Sequence, residues 1–186
     1  MAVELLRRRF SIEEYHRMGP AGILSEDDRV ELIEGQIVVM PPIGSAHAGK
    51  LNRLGRLFTV GLGQRAIIAI QNPIALPADT EPQPDLAILR PRTDFYERSH
   101  PRPEDVLLLV EIAEASLEYD RTVKVPLYAR AGLPEVWIVD LAAESLEIYQ
   151  EPREGRYRRV QALTRGQSLA PQAFPDLLVS TDEIFG

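Results

Sequence analysis

The pattern of apolar and polar positions along the chain predicts helices and strands in a mixed order. Apolar residues three or four positions apart indicate helices, and short alternating or wholly apolar runs indicate strands. Gly, Pro, Asn and Asp between these runs mark turns. In chain order the predicted elements are a helix from about Ile12 to Met18, a hairpin at 29–40 that turns at Glu34-Gly35, a helix from 46 to about 62, a strand at 66–71, a strand or loop at 73–76, strands at 85–89 and 106–112, a helix from 120 to 130, and strands at 135–139, 145–149 and 157–163.

Two of the predicted helices carry signals at their ends. Ser11 and Glu14 have the spacing of a capping box at the start of the first helix. Asp120 is expected to cap the third helix, and Gly132 is expected to end it. Pro126 removes one backbone donor from the third helix, so either a later start or a kink is expected there.

The strand at 106–112 decides the expected fold class. It is apolar at every position before Glu111. A strand of this kind is covered on both faces, which places it centrally in a sheet. The whole order of elements predicts a mixed α/β (α+β) fold, with helices flanking a central mixed β-sheet. The 186 residues suit a single domain, with a helix and hairpin at 1–42, a core at 43–140, and C-terminal strands and an arm at 141–186.

The composition narrows the possible functions. The net charge of −7 is not that of a general nucleic-acid binder, although it allows a local basic groove. The absence of cysteine excludes disulfides, thiolate metal sites and cysteine nucleophiles. No apolar run approaches the ~20 residues that span a bilayer, and none of signal-peptide length follows Arg7 to Arg9. We therefore expect a cytoplasmic protein.

Arginine is the usual cation in this chain. Lys50 and Lys124 are its only lysines, and the other 19 basic residues are arginine. The few asparagines and 15 prolines are compatible with a thermophilic source, and a GC-rich genome would give a similar bias. Because a lysine can lose its proton and a guanidinium in practice cannot, the bias gives slight support to a chemical role for Lys124.

Two carboxylates are the main candidates for chemistry. Asp85 opens an apolar strand directly after Pro84, and Glu111 lies near the end of the most apolar strand. An ionised carboxylate beside a buried strand is costly unless it is paired or binds a cation. If the two strands are neighbours, the oxygens converge and suit Mg²⁺ or Mn²⁺. The alternatives are a turn residue at Asp85 and a salt bridge from Glu111 to an arginine.

Other candidates have weaker support from the sequence alone. His47 begins the second helix, where a lone histidine is more often a cap or a packing residue than a proton carrier. Glu31 lies in the hairpin, where a surface charge is the favoured interpretation. Arg121 and Lys124 are three residues apart, so they share a helix face. That face either lies over the two carboxylates and meets a phosphate, or is a solvated basic face paired with Glu118 and Asp120. No G-x-S-x-G, P-loop, G-x-G-x-x-G or H-E-x-x-H motif is present.

The stretch at 110–140, VEIAEASLEYDRTVKVPLYARAGLPEVWIVD, strongly resembles the Uma-two family of endonuclease-like proteins, long catalogued as a domain of unknown function. That family looks like a branch of the PD-(D/E)XK restriction-endonuclease superfamily. Further landmarks fit in order over nearly the whole chain. They are 30–35 (VELIEG), His47, Pro84-Asp85, 174–177 (FPDL) and Ile184-Phe185.

The resemblance implies a restriction-endonuclease-like core and assigns roles within it. Asp85 and Glu111 match the acidic positions that bind a divalent cation, Mg²⁺ or Mn²⁺, and the Ile112 carbonyl could add to its coordination. The superfamily places a lysine two residues after the second acid, where this chain has Ala113. The Uma-two pattern instead places it on the following helix, at Lys124.

The resemblance also implies supporting residues and a reaction. Glu31 matches an acidic position that could supply a further ligand, and His47 matches as well. Asp120 is expected to orient Lys124, with Arg121 nearby. The implied reaction is metal-assisted hydrolysis of phosphodiester bonds, most naturally those of DNA. Similar proteins also suggest a homodimer. The alternatives are an inactive nuclease fold kept as a binding or assembly module, and an enzyme acting on another phosphoester.

Overall fold

The computed structural model describes residues 7–25 and 27–186, which form two compact units. The smaller unit is Met1–Pro42 with Ala75–Pro82, and the larger is Ile43–Ile74 with Gln83–Gly186. Residues 1–6, where the sequence predicts no signal peptide, lie outside the described residues, as does Glu26. In the part that is described, no helix combines the length and apolar character needed to cross a membrane.

Helix α1 (Ile12–Met18) belongs to the smaller unit and begins as predicted. Ser11 Oγ accepts a hydrogen bond from the Glu14 N–H at 3.1 Å, and the Glu14 carboxylate accepts one from the Ser11 N–H at 3.0 Å. This reciprocal pair satisfies two backbone donors that the first turn of a helix leaves without partners. The capping box is thus confirmed.

The predicted hairpin forms the rest of the regular structure in the smaller unit. Strands β1 (Val30–Ile33) and β2 (Gln36–Val39) pair antiparallel, with Val30 opposite Val39. Glu34 and Gly35 between them have φ of 47° and 75°. Two successive positive φ angles are the signature of the tight turn whose twist matches that of a hairpin.

A six-stranded sheet forms the centre of the larger unit, in the order β3-β4-β5-β6-β7-β8. Strands β5 and β6 are parallel and the other neighbouring pairs are antiparallel, so the sheet is mixed, as predicted. The strands are β3 (Ile67–Ile70), β4 (Leu86–Leu89), β5 (Val106–Ala113), β6 (Glu135–Asp140), β7 (Ser145–Arg153) and β8 (Arg156–Leu163).

The remaining elements surround this sheet. Helix α2 covers Ser45–Leu62, and a continuous helical segment, α3, covers residues 117–131. Toward the C-terminus, the short strands β9 (Ser168–Leu169) and β10 (Val179–Ser180) pair before helix α4 (Thr181–Phe185). Single 3-10 turns lie at Gly63–Arg65 and Pro103–Asp105.

The core lies between α2 and one face of the sheet. Leu54 and Phe58 of α2 are fully buried, and the Phe58 ring meets the Trp137 ring with centroids 5.9 Å apart. Burying a large apolar side chain contributes roughly 1.5–3 kcal/mol. Val110 of β5 is also fully buried and belongs to the same cluster. The central position predicted for β5 is confirmed.

Helix α3 begins earlier than the sequence predicts. Its first turn is Leu117–Tyr119, preceded by Ser116, so the expectation that Asp120 caps the helix was wrong. Of the two alternatives expected from Pro126, a later start or a kink, the later start does not occur. The Asp120 N–H already donates to the Ser116 carbonyl at 2.9 Å, and the Asp120 carboxylate accepts from Ser116 Oγ at 2.7 Å. The end is as predicted, because Gly132 adopts φ 80°.

A π turn at Asp120–Lys124 explains how α3 accommodates Pro126. The Val125 N–H donates to the Asp120 carbonyl, five residues back rather than four. Proline in a helix donates no hydrogen bond, and its ring crowds the carbonyl four residues before it. A wider turn directly before Pro126 relieves that crowding. The turn also leaves Asp120 and Lys124 buried while Arg121 is exposed.

The segment 73–76, predicted as a strand or a loop, is not a strand. Within the smaller unit its last residue, Leu76, makes only an isolated bridge to Thr80. Pro73 begins the segment and Pro77 follows it, and neither has the backbone N–H that a strand ladder requires.

Glu135 is a buried carboxylate that joins three parts of the larger unit. It lies in β6 and is 0% exposed. Its Oε1 accepts hydrogen bonds from Trp137 Nε1 at 2.8 Å and Gln150 Nε2 at 2.9 Å, and its Oε2 accepts one from the Gln172 N–H at 2.7 Å. Burial raises the pKa of Glu135, and these donors oppose that rise. Glu135 therefore fixes the segment after β9 against β6 and β7.

Replacing Glu135 with alanine should destabilise the protein by about 2–4 kcal/mol, because three donors, two of them on the buried Trp137 and Gln150 side chains, would lose their acceptor. The measurement is the free energy of unfolding in urea at neutral pH. Glu97→Ala, at an exposed loop position, is the matched control and should change stability little.

The sign of the pH dependence provides a second check. The pKa of Glu135 is higher in the folded than in the unfolded chain. Its contribution to the free energy of unfolding is therefore complete below the ordinary pKa of 4.5 and decreases as the pH rises. The stability difference between wild type and Glu135→Ala should thus be larger at acidic than at alkaline pH. Equal stability of the two proteins would refute the role given to Glu135.

Candidate active site around Asp85 and Glu111

Asp85 is held by groups from three elements of the larger unit. It directly precedes β4 and is 9% exposed. Its Oδ1 contacts His47 Nε2 of α2 at 2.7 Å and accepts a hydrogen bond from Gln71 Nε2 at 3.3 Å. Its Oδ2 accepts one from the Ile112 N–H of β5 at 2.8 Å. An ionised carboxylate only accepts hydrogen bonds, so His47 donates through Nε2 when Asp85 is charged.

Glu111 lies beside Asp85 because of the strand register. Leu86 pairs with Val110, so the residue before β4 comes next to the residue after Val110. Glu111 is 3% exposed. Its Oε1 receives Lys124 Nζ at 3.3 Å and the Tyr128 hydroxyl at 2.5 Å, both from α3. The two strands that the sequence marks with carboxylates are thus adjacent.

The electrostatics of Glu111 favour its protonated form. Burial is the main cause that raises the pKa of Glu111, to about 8, and the charges of Asp120 and Asp85 raise it further. Lys124 and the Tyr128 hydroxyl act in the opposite direction. Two buried carboxylates side by side cannot both ionise cheaply, and a nearby cation removes that conflict.

The other predicted residues on α3 are placed differently. Asp120 is 3% exposed and receives the Ser116 hydroxyl, and its charge acts on Glu111. Arg121 turns to β7, where its Nε lies 3.1 Å from both carboxylate oxygens of Glu147. Glu147 pairs with Ile138, and Ile138 pairs with Glu111, so the two carboxylates lie in one row across the sheet. Arg121 pairs with Glu147 in this row, and Lys124 pairs with Glu111.

The predicted metal-ligand roles of Glu31 and of the Ile112 carbonyl stay predictions. Glu31 lies in β1 of the smaller unit and is 2% exposed, and its role as a ligand stays a prediction. Ile112 offers its N–H to Asp85, and the predicted role of its carbonyl is not tested. Ala113, which stands where the superfamily has lysine, is fully buried in β5.

Sequence reasoning missed Tyr128 and Gln71. Tyr128 is fully buried and lies four residues after Lys124, so helical spacing alone would have placed the two on one face. Gln71 follows β3 with φ 52°, and its N–H donates to the Asp85 carbonyl at 3.0 Å. No sequence signal marks Gln71, because its place beside Asp85 depends on the antiparallel register of β3 and β4.

The oxygen ligands that this site offers are of the kind that Mg²⁺ and Mn²⁺ prefer. Asp85 and Glu111 offer carboxylate oxygens, and in the described part of the chain no donor is bonded to Glu111 Oε2. The side chains of Asp85, Glu111 and His47 do not supply three ligand atoms within 4.8 Å of one another among the described residues. Mg²⁺ keeps several waters and needs only one or two carboxylates, so this set is sufficient.

Comparison with known proteins identifies the family of this chain. The model of the Uma2 family, described as "Putative restriction endonuclease", matches residues 12–182. The chain belongs to this family. The resemblance noted at 110–140 is thereby confirmed over most of the sequence.

A solved structure supports the fold in the same way. The crystal structure of "a putative nuclease belonging to DUF820" from Anabaena variabilis superposes with a TM-score of 0.73 at 14% identity. The match covers 95% of this chain and 97% of that one, which confirms the predicted fold class. A search of curated proteins gave no match.

Replacing Tyr128 with phenylalanine should raise the pKa of Glu111 further, by roughly one unit, because a hydrogen bond that favours the carboxylate is lost. The titration can be followed in the metal-free protein by the infrared carbonyl band of the protonated carboxyl group. Tyr149→Phe is the matched control, since Tyr149 donates to Glu147 instead. An unchanged Glu111 titration in Tyr128→Phe would contradict this account.

Proposed function

We propose that this member of the Uma2 family is a metal-dependent endonuclease that hydrolyses phosphodiester bonds of DNA. The observation that carries the proposal is the pair of buried carboxylates, Asp85 and Glu111, on adjacent strands with buried Lys124 in contact with one of them. The family and the nuclease-like fold support the reaction class. The metal, the DNA substrate and the residue roles are our inference from the site.

Asp85 and Glu111 would hold the cation, Mg²⁺ or Mn²⁺. When bound, the cation would lower the pKa of a coordinated water and neutralise charge on the scissile phosphate. His47 and Gln71 hold the Asp85 carboxylate in one orientation, through contacts at 2.7 Å and 3.3 Å. Fixing the carboxylate in advance lowers the cost of organising the site when substrate binds.

Lys124 would act on the substrate rather than on the cation. Its Nζ lies 3.3 Å from Glu111 Oε1 and carries three donor hydrogens, so it can keep that contact and also meet a phosphate oxygen or the attacking water. A cation at this position stabilises the charge that develops in the transition state. The Tyr128 hydroxyl also donates to Glu111, so it would keep the Glu111 carboxylate in place when Lys124 turns to the substrate.

A non-catalytic nuclease fold that serves as a binding or assembly module is the second candidate. The raised pKa of Glu111, about 8, favours it, since a protonated Glu111 paired with Lys124 is stable without any cation. The homodimer and the thermophilic source remain predictions from the sequence.

Asp85→Ala and Glu111→Ala should each abolish binding of Mn²⁺ while the protein stays folded. Titration calorimetry measures the binding, circular dichroism the fold, and nicking of supercoiled plasmid the activity. Glu97→Ala, at an exposed position, should behave as wild type.

The outcomes of that experiment separate the candidates. Binding and nicking that vanish together in both variants support a metal-dependent nuclease. Wild-type protein that binds no metal favours the non-catalytic module. Metal binding without cleavage of DNA or RNA favours an enzyme that acts on another phosphoester. Variants that unfold show instead that the carboxylates are structural.

Lys124→Met should lower the rate of nicking on the order of 10²-fold or more without weakening the binding of Mn²⁺, because Lys124 repels the cation but stabilises the transition state. The matched control is Lys50→Met, the only other lysine, which contacts the Phe185 carbonyl. Equal losses in the two variants, or a loss of metal binding in Lys124→Met, would count against the assigned role.

A further inference from the structure

The hairpin between β7 and β8 concentrates positive charge in an acidic protein. Residues 151–159 contain four arginines and two glutamates, whereas the whole chain has a net charge of −7. The turn is Glu154-Gly155, with φ of 50° and 73°, so the hairpin tip is a tight two-residue turn. All four arginines are exposed.

Arg153 and Arg156 face each other across this tip. They are direct partners in the antiparallel ladder, so their side chains leave the same face of the sheet. Like charges directly opposite one another destabilise a strand pair. An anion between two such guanidiniums would convert the repulsion into attraction.

Carboxylates within the protein do not serve this purpose. Within the described residues, Arg153 and Arg156 make no ion pair, and the nearby Glu154 is engaged by Arg158. Several arginines elsewhere in the larger unit, by contrast, are paired with carboxylates. These pairs are Arg65–Asp176, Arg92–Asp94, Arg121–Glu147 and Arg165–Glu144.

The tip packs against the helix that carries the candidate active site. A Cβ built on Gly155 would lie only 2.9 Å from Arg130 Cγ, so the turn rests directly on the Arg130 side chain. Arg130 is exposed and follows Lys124 by six residues on α3. At a rise of 1.5 Å per residue, that spacing corresponds to about 9 Å along the helix.

Protection of a sheet edge does not account for this arrangement. Charged residues on an edge strand discourage pairing with other chains, and β8 is an edge strand. Arg153, however, lies on β7, which is covered by β8, and Arg130 lies on a helix. Two of the three arginines grouped at the tip, Arg130 and Arg153, therefore lie off the edge strand.

We propose that Arg130, Arg153 and Arg156, the arginine tip, bind backbone phosphates of double-stranded DNA at the end of α3 that lies beyond Lys124. The inference rests on the proposed function only for the choice of polyanion. Guanidinium groups bind phosphate oxygens in a bidentate manner, and such contacts position a duplex without reading its sequence. The arginine tip would therefore hold DNA along α3 regardless of its sequence.

The experiment measures binding of a fluorescent DNA duplex by anisotropy in EDTA, so that no cleavage takes place, over a series of salt concentrations. The double variant Arg153→Ala/Arg156→Ala should weaken binding on the order of tenfold at low salt. It should also reduce the slope of log K against log salt concentration by about two, which corresponds to two lost phosphate contacts. The matched control is Arg56→Ala/Arg98→Ala, which removes the same charge at exposed positions elsewhere in the larger unit.

The control separates a local site from a general charge effect. Loss of affinity and of salt slope in the tip variant alone supports the arginine tip. Equal losses in both double variants, unchanged binding in the tip variant, or no DNA binding by wild type would each overturn it. Tip-dependent binding by wild type that never nicks plasmid with Mn²⁺ would support the arginine tip and reject only the proposed hydrolysis.

Discussion

The burial of two carboxylates on neighbouring central strands is the constraint on which the candidate site depends. Asp85 and Glu111 lie where strand register brings them together, and both are withdrawn from water. An unpaired buried carboxylate is among the most costly groups a protein can contain. The surroundings compensate in two ways: Asp85 accepts three hydrogen bonds, and Glu111 is paired with Lys124 and Tyr128 while its pKa rises to about 8.

Helix α3 delivers the positive charge that this site needs. A lysine two residues after Glu111 would share its strand face, but that position is the buried Ala113. Lys124 reaches Glu111 from above the sheet instead, through a π turn placed directly before Pro126. π turns inside helices recur at functional sites because they redirect side chains without ending the helix. The irregularity thus has both a local cause, the proline, and a consequence for the site.

The opposite face of the sheet is organised by different forces. There α2 contributes an apolar stripe against Val110, Trp137 and their neighbours, and Glu135 ties the C-terminal segment to β6 and β7. His47 connects the two faces, since it lies in the first turn of α2 and contacts Asp85. The packing that stabilises α2 therefore also fixes one side of the candidate site, which links stability to site geometry.

The sequence by itself determined the elements and the identity of the main candidates. Local signals are strong at Ser11, Gly35 and Gly132, where a cap or a positive φ needs particular residues, and the apolar run of β5 required burial on both faces. Asp85, Glu111 and Lys124 could be recognised from their residue types and from the resemblance to the Uma-two family. Only the tertiary structure decided their partners. Gln71 meets Asp85 through strand register, Arg121 meets Glu147 across two strands, and α3 starts at Leu117 because Ser116 and Asp120 bond each other within the folded turn. Such contacts join residues far apart in the chain or compete with local signals, so no pattern of neighbours along the sequence could specify them.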